Sequence, residues 1–70
     1  MKTVDINKEP VELYKILKFE GLVTTGGEAK LFIGDGQGRG NGEVETQRRK
    51  KIVHGDVIEF RGEQLQVRKL

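Results

Sequence analysis

The stretch TGGEAKLFIGDGQGRGNGEVETQRRKK, residues 25–51, predicts a capped helix, a glycine-rich hairpin and a basic run in that order. Thr25 can accept a hydrogen bond from a free N–H group of the first helical turn, and Glu28 completes the Ser/Thr-x-x-Glu pattern of a capping box. Gly34 or Gly36 can end the helix, because glycine adopts a left-handed conformation without steric cost. The apolar residues that share one face of this helix are Ala29, Phe32 and Ile33.

A tight turn and a cluster of positive charge follow this helix. Asn41-Gly42 is typical of a type I′ turn, whose two central residues both need positive φ. The run Arg48–Lys51 carries four positive charges, and residues 39–51 together contain five basic and two acidic residues. Clustered Lys and Arg side chains neutralise phosphates, so this region indicates a surface for nucleic acid.

The flanking residues supply further elements of one domain, which we expect to span residues 1–70. Thr3–Ile6 alternates polar and apolar residues and predicts an edge strand. Pro10 suits the first turn of a helix, and an amphipathic pattern continues from it to Gly21. The apolar positions of that helix include Leu13, Ile16 and Leu17. Further strands are predicted at Gln37–Arg39, Glu43–Glu45, Asp56–Phe60 and Leu65–Arg68.

Composition argues against catalysis and against a cofactor. The chain of 70 residues has no cysteine and a single histidine, so it can form neither a disulfide nor a thiolate metal site, and His54 alone cannot hold a metal ion. Serine is absent, and no paired carboxylates indicate a general acid and base. We therefore expect a protein that is not an enzyme and needs no cofactor.

Localisation and assembly are also constrained by composition. No apolar run approaches the roughly 20 residues that cross a bilayer, and residues 1–5 lack the apolar core of a secretory signal. A cysteine-free chain fits a reducing compartment, so we expect a cytoplasmic protein with no membrane partner. The sequence has no exposed apolar seam that would indicate a dimer, so we expect a monomer.

Two motifs are better explained by structure than by ligand binding. The segment Gly34–Gly42 is rich in glycine, but it has no G-x-G-x-x-G register and no G-K-[ST] follows it. It also comes after a helix, whereas nucleotide-binding loops come before one. Phe19, Phe32 and Phe60 fall at apolar-face positions, so we expect them in the core and not as platforms for stacked bases.

Taken together, the elements resemble the RNA-binding domain named after ribosomal small-subunit protein S-four, and most closely its small stand-alone bacterial members. The resemblance runs from about Pro10 to Phe60. It implies an α+β fold, in which a two-helix pair packs on a small, bent, mostly antiparallel sheet (the αL motif). The residues that carry it are Leu13, Leu17, Gly21, Thr25–Lys30, Ile33, Gly36, Asn41–Thr46, Arg48–Ile52 and Gly55–Ile58.

The resemblance also implies a function. Members of this family bind structured RNA, commonly ribosomal or transfer RNA, so RNA is the expected partner and the ribosome a candidate one. The alternative is a protein-interaction adaptor whose basic patch docks an acidic partner surface, and steep salt dependence fits both. Carried over by position, the RNA-binding residues would be Thr25, Gly26, Gly27, Lys30, Arg39, Arg48, Arg49, Lys50 and Lys51.

The sequence departs from the family pattern at two places. Most members have an arginine directly after the capping residue, where this chain has Gly26. The hairpin of the family has two valines flanking a basic residue, where this chain has Gly38 and Gly40 around Arg39. Because two apolar anchors are missing, we expect a mobile hairpin or a short strand.

Overall fold

A computed structural model of the chain describes residues 1–70. It confirms the α+β fold class, with two helices and a mixed sheet. In chain order the elements are β1 Lys2–Ile6, β2 Val11–Glu12, α1 Leu13–Phe19, α2 Gly26–Gly34, β3 Gly38–Gly40, β4 Glu43–Val44, β5 Lys51–Ile52, β6 Val57–Phe60 and β7 Glu63–Lys69.

Five of the strands form one sheet in the order β1-β7-β6-β3-β4. Only β1 and β7 run parallel, and the other three pairs are antiparallel, as expected for a mostly antiparallel sheet. The predicted strand Thr3–Ile6 is confirmed as part of β1, at one edge of the sheet. The strands β2 and β5 form a separate antiparallel ladder of two residue pairs.

The helices and the inner face of the sheet share one hydrophobic cluster. Alternate residues of the long strands face it, as the pleat of a strand requires. The predicted apolar positions of both helices are also buried, except Phe32, which is partly buried and packs against the cluster. The thirteen members of the cluster are Val4, Ile6, Leu13, Ile16, Leu17, Val23, Ala29, Ile33, Ile52, Ile58, Phe60, Leu65 and Val67.

The predicted start of the first helix is wrong. This helix begins at Leu13, and Pro10 lies outside it. The reason is that Val11 and Glu12 pair with Ile52 and Lys51 in the β2–β5 ladder. Strand pairing holds both residues in an extended conformation, so the helix starts only after them.

The prediction of a core position is wrong for Phe19. Phe60 is buried, and Phe32 packs edge-to-face against it with 6.2 Å between the ring centroids. Phe19, in contrast, is 72% exposed. At about 100° per residue, Phe19 lies about 110° around the helix from the mean direction of the buried residues Leu13, Ile16 and Leu17, so it falls outside the core-facing side.

The glycines of β3 shorten the hairpin without opening the core. As expected for a short strand, β3 has three residues and β4 has two. Gly38 is buried, and a Cβ atom there would lie 3.7 Å from Ile33 Cγ1 and 3.8 Å from Phe60 Cδ1. These are ordinary van der Waals distances, so the site has room for a methyl group.

Replacing Gly38 by alanine should therefore stabilise the protein. The expected gain is about 0.5–1 kcal/mol in the free energy of unfolding, because alanine reduces the freedom of the unfolded chain and adds apolar contact. Thermal unfolding followed by circular dichroism measures this as a Tm higher by about 4 °C. Gly36→Ala is the control, since Gly36 has a φ of +84° and alanine there should lower the Tm. A Gly38→Ala variant that melts at or below the wild-type temperature would contradict the packing described here.

The edge strand β1 forms two ion pairs, one with the residue after α1 and one with the neighbouring strand β7. Lys2 Nζ lies 2.8 Å from Glu20 Oε1, and the Arg68 guanidinium donates to both carboxylate oxygens of Asp5 at 2.8 and 3.1 Å. The hydrogen bond to Glu20, and then its negative charge, raise the pKa of Lys2. The same two effects of Asp5 raise the pKa of Arg68. Both bases are exposed, so these pairs add little to stability.

Candidate nucleic-acid interface

The basic run Arg48–Lys51 is fixed in place by the first turn of α1. No side chain caps this helix. Instead, the N–H group of Leu13 donates to the carbonyl of Lys50 and that of Tyr14 to the carbonyl of Arg48, both at 2.9 Å. These N–H groups have no acceptor inside the helix, so the backbone of the run satisfies them. The run is thus built into the fold, with its cationic side chains on the surface.

Part of this positive charge is neutralised within the chain. Glu12 lies beside the run, with its carboxylate oxygens 3.5 Å from Lys15 Nζ and 3.8 Å from Arg49 Nε. Arg48, Lys50 and Lys51 take part in none of the four ion pairs of the structure. Three cations of the run are therefore available to an external anion.

Acidic residues face the run across an open hollow of about 530 Å³. Glu43 and Glu45 line it from the hairpin side, and Lys50 and Lys51 line it from the end of the basic run. No ion pair crosses the hollow. The two glutamates lower the positive potential on this side, so a polyanion is attracted more strongly to the side that faces the helices.

The N-terminus of α2 combines a side-chain cap with free backbone donors. Thr25 is the N-cap residue, and its hydroxyl accepts from the N–H group of Glu28 at 3.0 Å, as the sequence predicts. The Glu28 carboxylate accepts from the Thr24 hydroxyl at 2.9 Å. The N–H groups of Gly26 and Gly27 make no hydrogen bond within the chain. They can therefore bind an anion, which the dipole of the helix also favours.

Tyr14 brings this helix terminus and the basic run onto one surface. A Cβ atom at Gly26 would lie 3.6 Å from the Tyr14 ring, while the N–H group of Tyr14 binds the carbonyl of Arg48. The sequence pattern gives no sign of this role. Tyr14 is half-buried, and its two contacts join segments that lie 12 and 34 residues away along the chain.

Lys30 extends the same surface along α2. It is exposed, one helical turn after Gly26, and it shares a shallow hollow with Gly27. Its neighbour Ala29 is fully buried. Thr25, Gly26, Gly27, Lys30 and Arg48–Lys51 are called the basic surface below.

Arg39 lies apart from the basic surface. Gly38 faces the helices and is buried, so the next residue of β3 projects from the opposite face of the sheet. There Arg39 is paired in register with Glu59 of β6. The structure therefore brings the N-terminus of α2 and the backbone of the basic run together at Tyr14, and separates Arg39 from them. Lys50 and Lys51 lie at the far side of the run, where they share a hollow with Glu43 and Glu45.

The structure contains no cluster of metal-ligating side chains and no helix that could span a membrane. No three His, Cys, Asp or Glu side chains lie close enough together to hold a metal ion. Neither helix has the length and apolar character needed to cross a bilayer.

A helix pair on a mostly antiparallel sheet, with the capped end of its second helix beside a basic run, is the arrangement expected from the resemblance to the S-four family. The family model of the S4 domain matches residues 4–68, so the chain belongs to this family. The "Putative RNA-binding protein YbcJ" of Escherichia coli (strain K12) is 44% identical over 68 residues, which are 96% of this chain and 97% of the relative. The "Probable ribosome maturation protein RlbA" of Bacillus subtilis (strain 168) is 32% identical over 59 residues, which are 84% of this chain and 83% of the relative.

A solved structure agrees with these relationships. The solution structure of YbcJ from Escherichia coli, described as revealing an αL motif involved in RNA binding, superposes with a TM-score of 0.73 at 42% sequence identity. The match covers 97% of this chain and 87% of the other. The resemblance inferred from the sequence is thus confirmed, and so is the αL fold.

Proposed function

We propose that this protein binds structured RNA through the basic surface, without catalysing a reaction. The observation that carries this proposal is the junction at Tyr14, which places two free N–H groups of α2 beside a basic run with three unpaired cations. Both features attract phosphate. Backbone hydrogen bonds hold the basic run, and the Thr25 cap holds the terminus of α2. The name of YbcJ points to RNA, and that of RlbA points to ribosome maturation.

In this proposal each part of the surface has a distinct role. The N–H groups of Gly26 and Gly27 bind one phosphate, with Thr25 keeping the helix terminus in shape. Lys30 and the basic run contact phosphates on either side of it. Such contacts fix the position of an RNA helix but read no bases, so recognition depends mainly on shape.

Arg39 has a more remote role in this proposal. Its side chain projects from the far face of the sheet, so it can contact only an RNA segment that wraps around the edge formed by β4. We expect Lys30→Gln to weaken binding more than Arg39→Gln.

The proposal also names the class of RNA that the protein binds. The name of RlbA refers to ribosome maturation, so ribosomal RNA in a folding or assembling ribosomal subunit is the substrate that we favour over transfer RNA. The cytoplasm, where ribosomal subunits assemble in bacteria, is the compartment that we propose, with the protein acting as a monomer.

A binding titration tests the proposed function. Fluorescence anisotropy at two salt concentrations compares a labelled RNA hairpin with the DNA hairpin of the same sequence and with single-stranded RNA. We expect the RNA hairpin to bind best, because its A-form backbone presents phosphates at a different spacing from DNA. Failure to bind any RNA at low salt would reject the proposal in favour of the protein adaptor.

Gly26→Arg is a gain-of-function prediction for the same surface. A Cβ atom at Gly26 would meet only the Tyr14 ring, at an ordinary contact distance, so the position tolerates a side chain. An arginine there adds the cation that the resemblance to the family implies for most members. One added phosphate contact should raise RNA affinity by roughly fivefold to tenfold at about 0.1 M salt and steepen the salt dependence by about one unit. Gly26→Gln, which has a long side chain without the charge, is the matched control. Equal affinities of the two variants would contradict a phosphate at this position.

A further inference from the structure

A groove beside α1, distinct from the basic surface, has a volume of about 810 Å³. Its walls are partly apolar, with Val11, Tyr14 and Phe19 among the lining residues. Three lysines, Lys8, Lys15 and Lys18, line it as well. The proposed function leaves this combination of an aromatic wall and a basic rim unused.

The ring of Phe19 is the most unusual feature of the groove. It is 72% exposed at the end of α1, although phenylalanine is the kind of residue that a small domain buries. Lys15 lies one helical turn before it and Lys18 next to it, so an aromatic face and two cations stand together. This combination is typical of surfaces that bind single-stranded nucleic acid, where bases stack on aromatic rings and cations follow the backbone.

The charges around the groove favour an anionic occupant. Its two acidic side chains, Asp5 and Glu12, are already engaged, since Asp5 binds Arg68 and Glu12 lies beside Lys15 and Arg49. Lys8 and Lys18 form no ion pair. The available charge is therefore positive.

The groove is also continuous with the basic surface. Tyr14 lines the groove and contacts the position of Gly26, and Glu12 lies between Lys15 of the groove and Arg49 of the basic run. The groove and the basic surface therefore adjoin each other at Tyr14 and Glu12.

We propose that the groove is a second RNA subsite, which takes an unpaired base stacked on Phe19, with the phosphates next to it at Lys8 and Lys18. This inference rests on the proposed function and adds to it a preference for a structured RNA with a single-stranded segment next to its helix. The basic surface holds the helix of the RNA, and the groove holds the unpaired nucleotide.

The test compares a blunt RNA hairpin with the same hairpin carrying a short single-stranded tail. For the wild type, we expect the tail to raise affinity about tenfold, the effect of one stacked base. Phe19→Ala should remove this gain and leave binding of the blunt hairpin unchanged. Leu31→Ala, which removes another exposed apolar side chain from outside the groove, should keep the gain.

A fluorescent reporter provides a second readout. The chain contains no tryptophan, so Phe19→Trp introduces a single one whose emission a stacked base quenches. We expect quenching with the tailed hairpin and none with the blunt one. Because Phe19 is exposed, neither substitution should unfold the protein, and a thermal melt verifies this.

Two kinds of failure can be told apart. If the blunt hairpin does not bind, the proposed function itself is rejected. If the blunt hairpin binds but the tail adds no affinity, or if Phe19→Ala keeps the gain, the subsite alone is rejected and a protein partner becomes the better explanation of the groove.

Discussion

Replacing Arg48, Lys50 and Lys51 together by glutamine is expected to lower the affinity for a structured RNA hairpin by a few hundredfold at roughly 0.1 M salt. These three side chains form no ion pair within the chain, so each is free to displace a counterion from a phosphate. Each such contact contributes about 0.9 to the slope of log K against log salt. The slope should therefore fall by about three units.

The fold should survive this substitution. The carbonyl groups of Arg48 and Lys50 hold the first turn of α1, and glutamine leaves these backbone groups in place. Circular dichroism of the variant should match that of the wild type, with a Tm within a few degrees. A loss of affinity can then be assigned to charge and not to unfolding.

A control of equal charge distinguishes a local surface from a general attraction. Lys2→Gln/Arg61→Gln/Lys69→Gln changes the net charge by the same three units, but all three residues belong to β1, β7 or the β6–β7 turn. We expect this variant to lose less than tenfold in affinity. If both triple variants lose affinity equally, the protein attracts RNA by its overall charge, and the basic surface is not a specific RNA-binding site.

The parts of the fold that could be predicted from the sequence are those with local signals. The capping residue Thr25 and the turn Asn41-Gly42 each follow from the chemistry of two or three adjacent residues, and both are present in the structure. The strands β6 and β7 follow from alternation and β-propensity, which are also local.

The β2–β5 ladder could not be predicted in the same way. It pairs two residues with two others about 40 positions further along the chain, and a ladder this short has no periodicity to detect. Its consequence is nevertheless large, because α1 begins only at Leu13 and the carbonyl groups of the basic run accept hydrogen bonds from the first turn of that helix. The position of Pro10 was misread because this long-range pairing overrides a local helix preference.

The candidate site shows the same division between local and long-range information. The basic run and the N-terminus of α2 were predicted individually, but their meeting at Tyr14 depends on tertiary packing. Arg39 was grouped with the run because it is near in sequence, whereas the pleat of β3 points it to the other face of the sheet. Its part in RNA binding stays a prediction.

Asn41→Ala is expected to lower the free energy of unfolding by about 2 kcal/mol, which corresponds to a Tm lower by roughly 10 °C. The Asn41 side chain joins the hairpin to the turn before β6. Its Nδ2 donates to Asp56 Oδ1 at 3.1 Å, and its Oδ1 accepts from the N–H group of Val57 at 2.9 Å. Alanine removes both bonds, worth about 1 kcal/mol each before exposure is considered, and it strains the φ of +51°.

Further variants separate the two contributions. Asn41→Gly loses the same bonds but adopts positive φ freely, so it should cost less than Asn41→Ala, by about 1 kcal/mol. Asp56→Ala also removes the bond from the N–H group of Val53 at 2.9 Å, so its cost should be similar to that of Asn41→Ala. Urea unfolding of each variant measures these differences.

The double variant Asn41→Ala/Asp56→Ala decides whether the two side chains act as one unit. Because they share the bond between Nδ2 and Oδ1, the double variant should be more stable than the sum of the single effects predicts, by about 0.5–1 kcal/mol. Additive effects would mean that the bond between Nδ2 and Oδ1 contributes nothing to stability. In that case the Asn41 side chain would hold the hairpin only through the bond that its Oδ1 accepts from the N–H group of Val57.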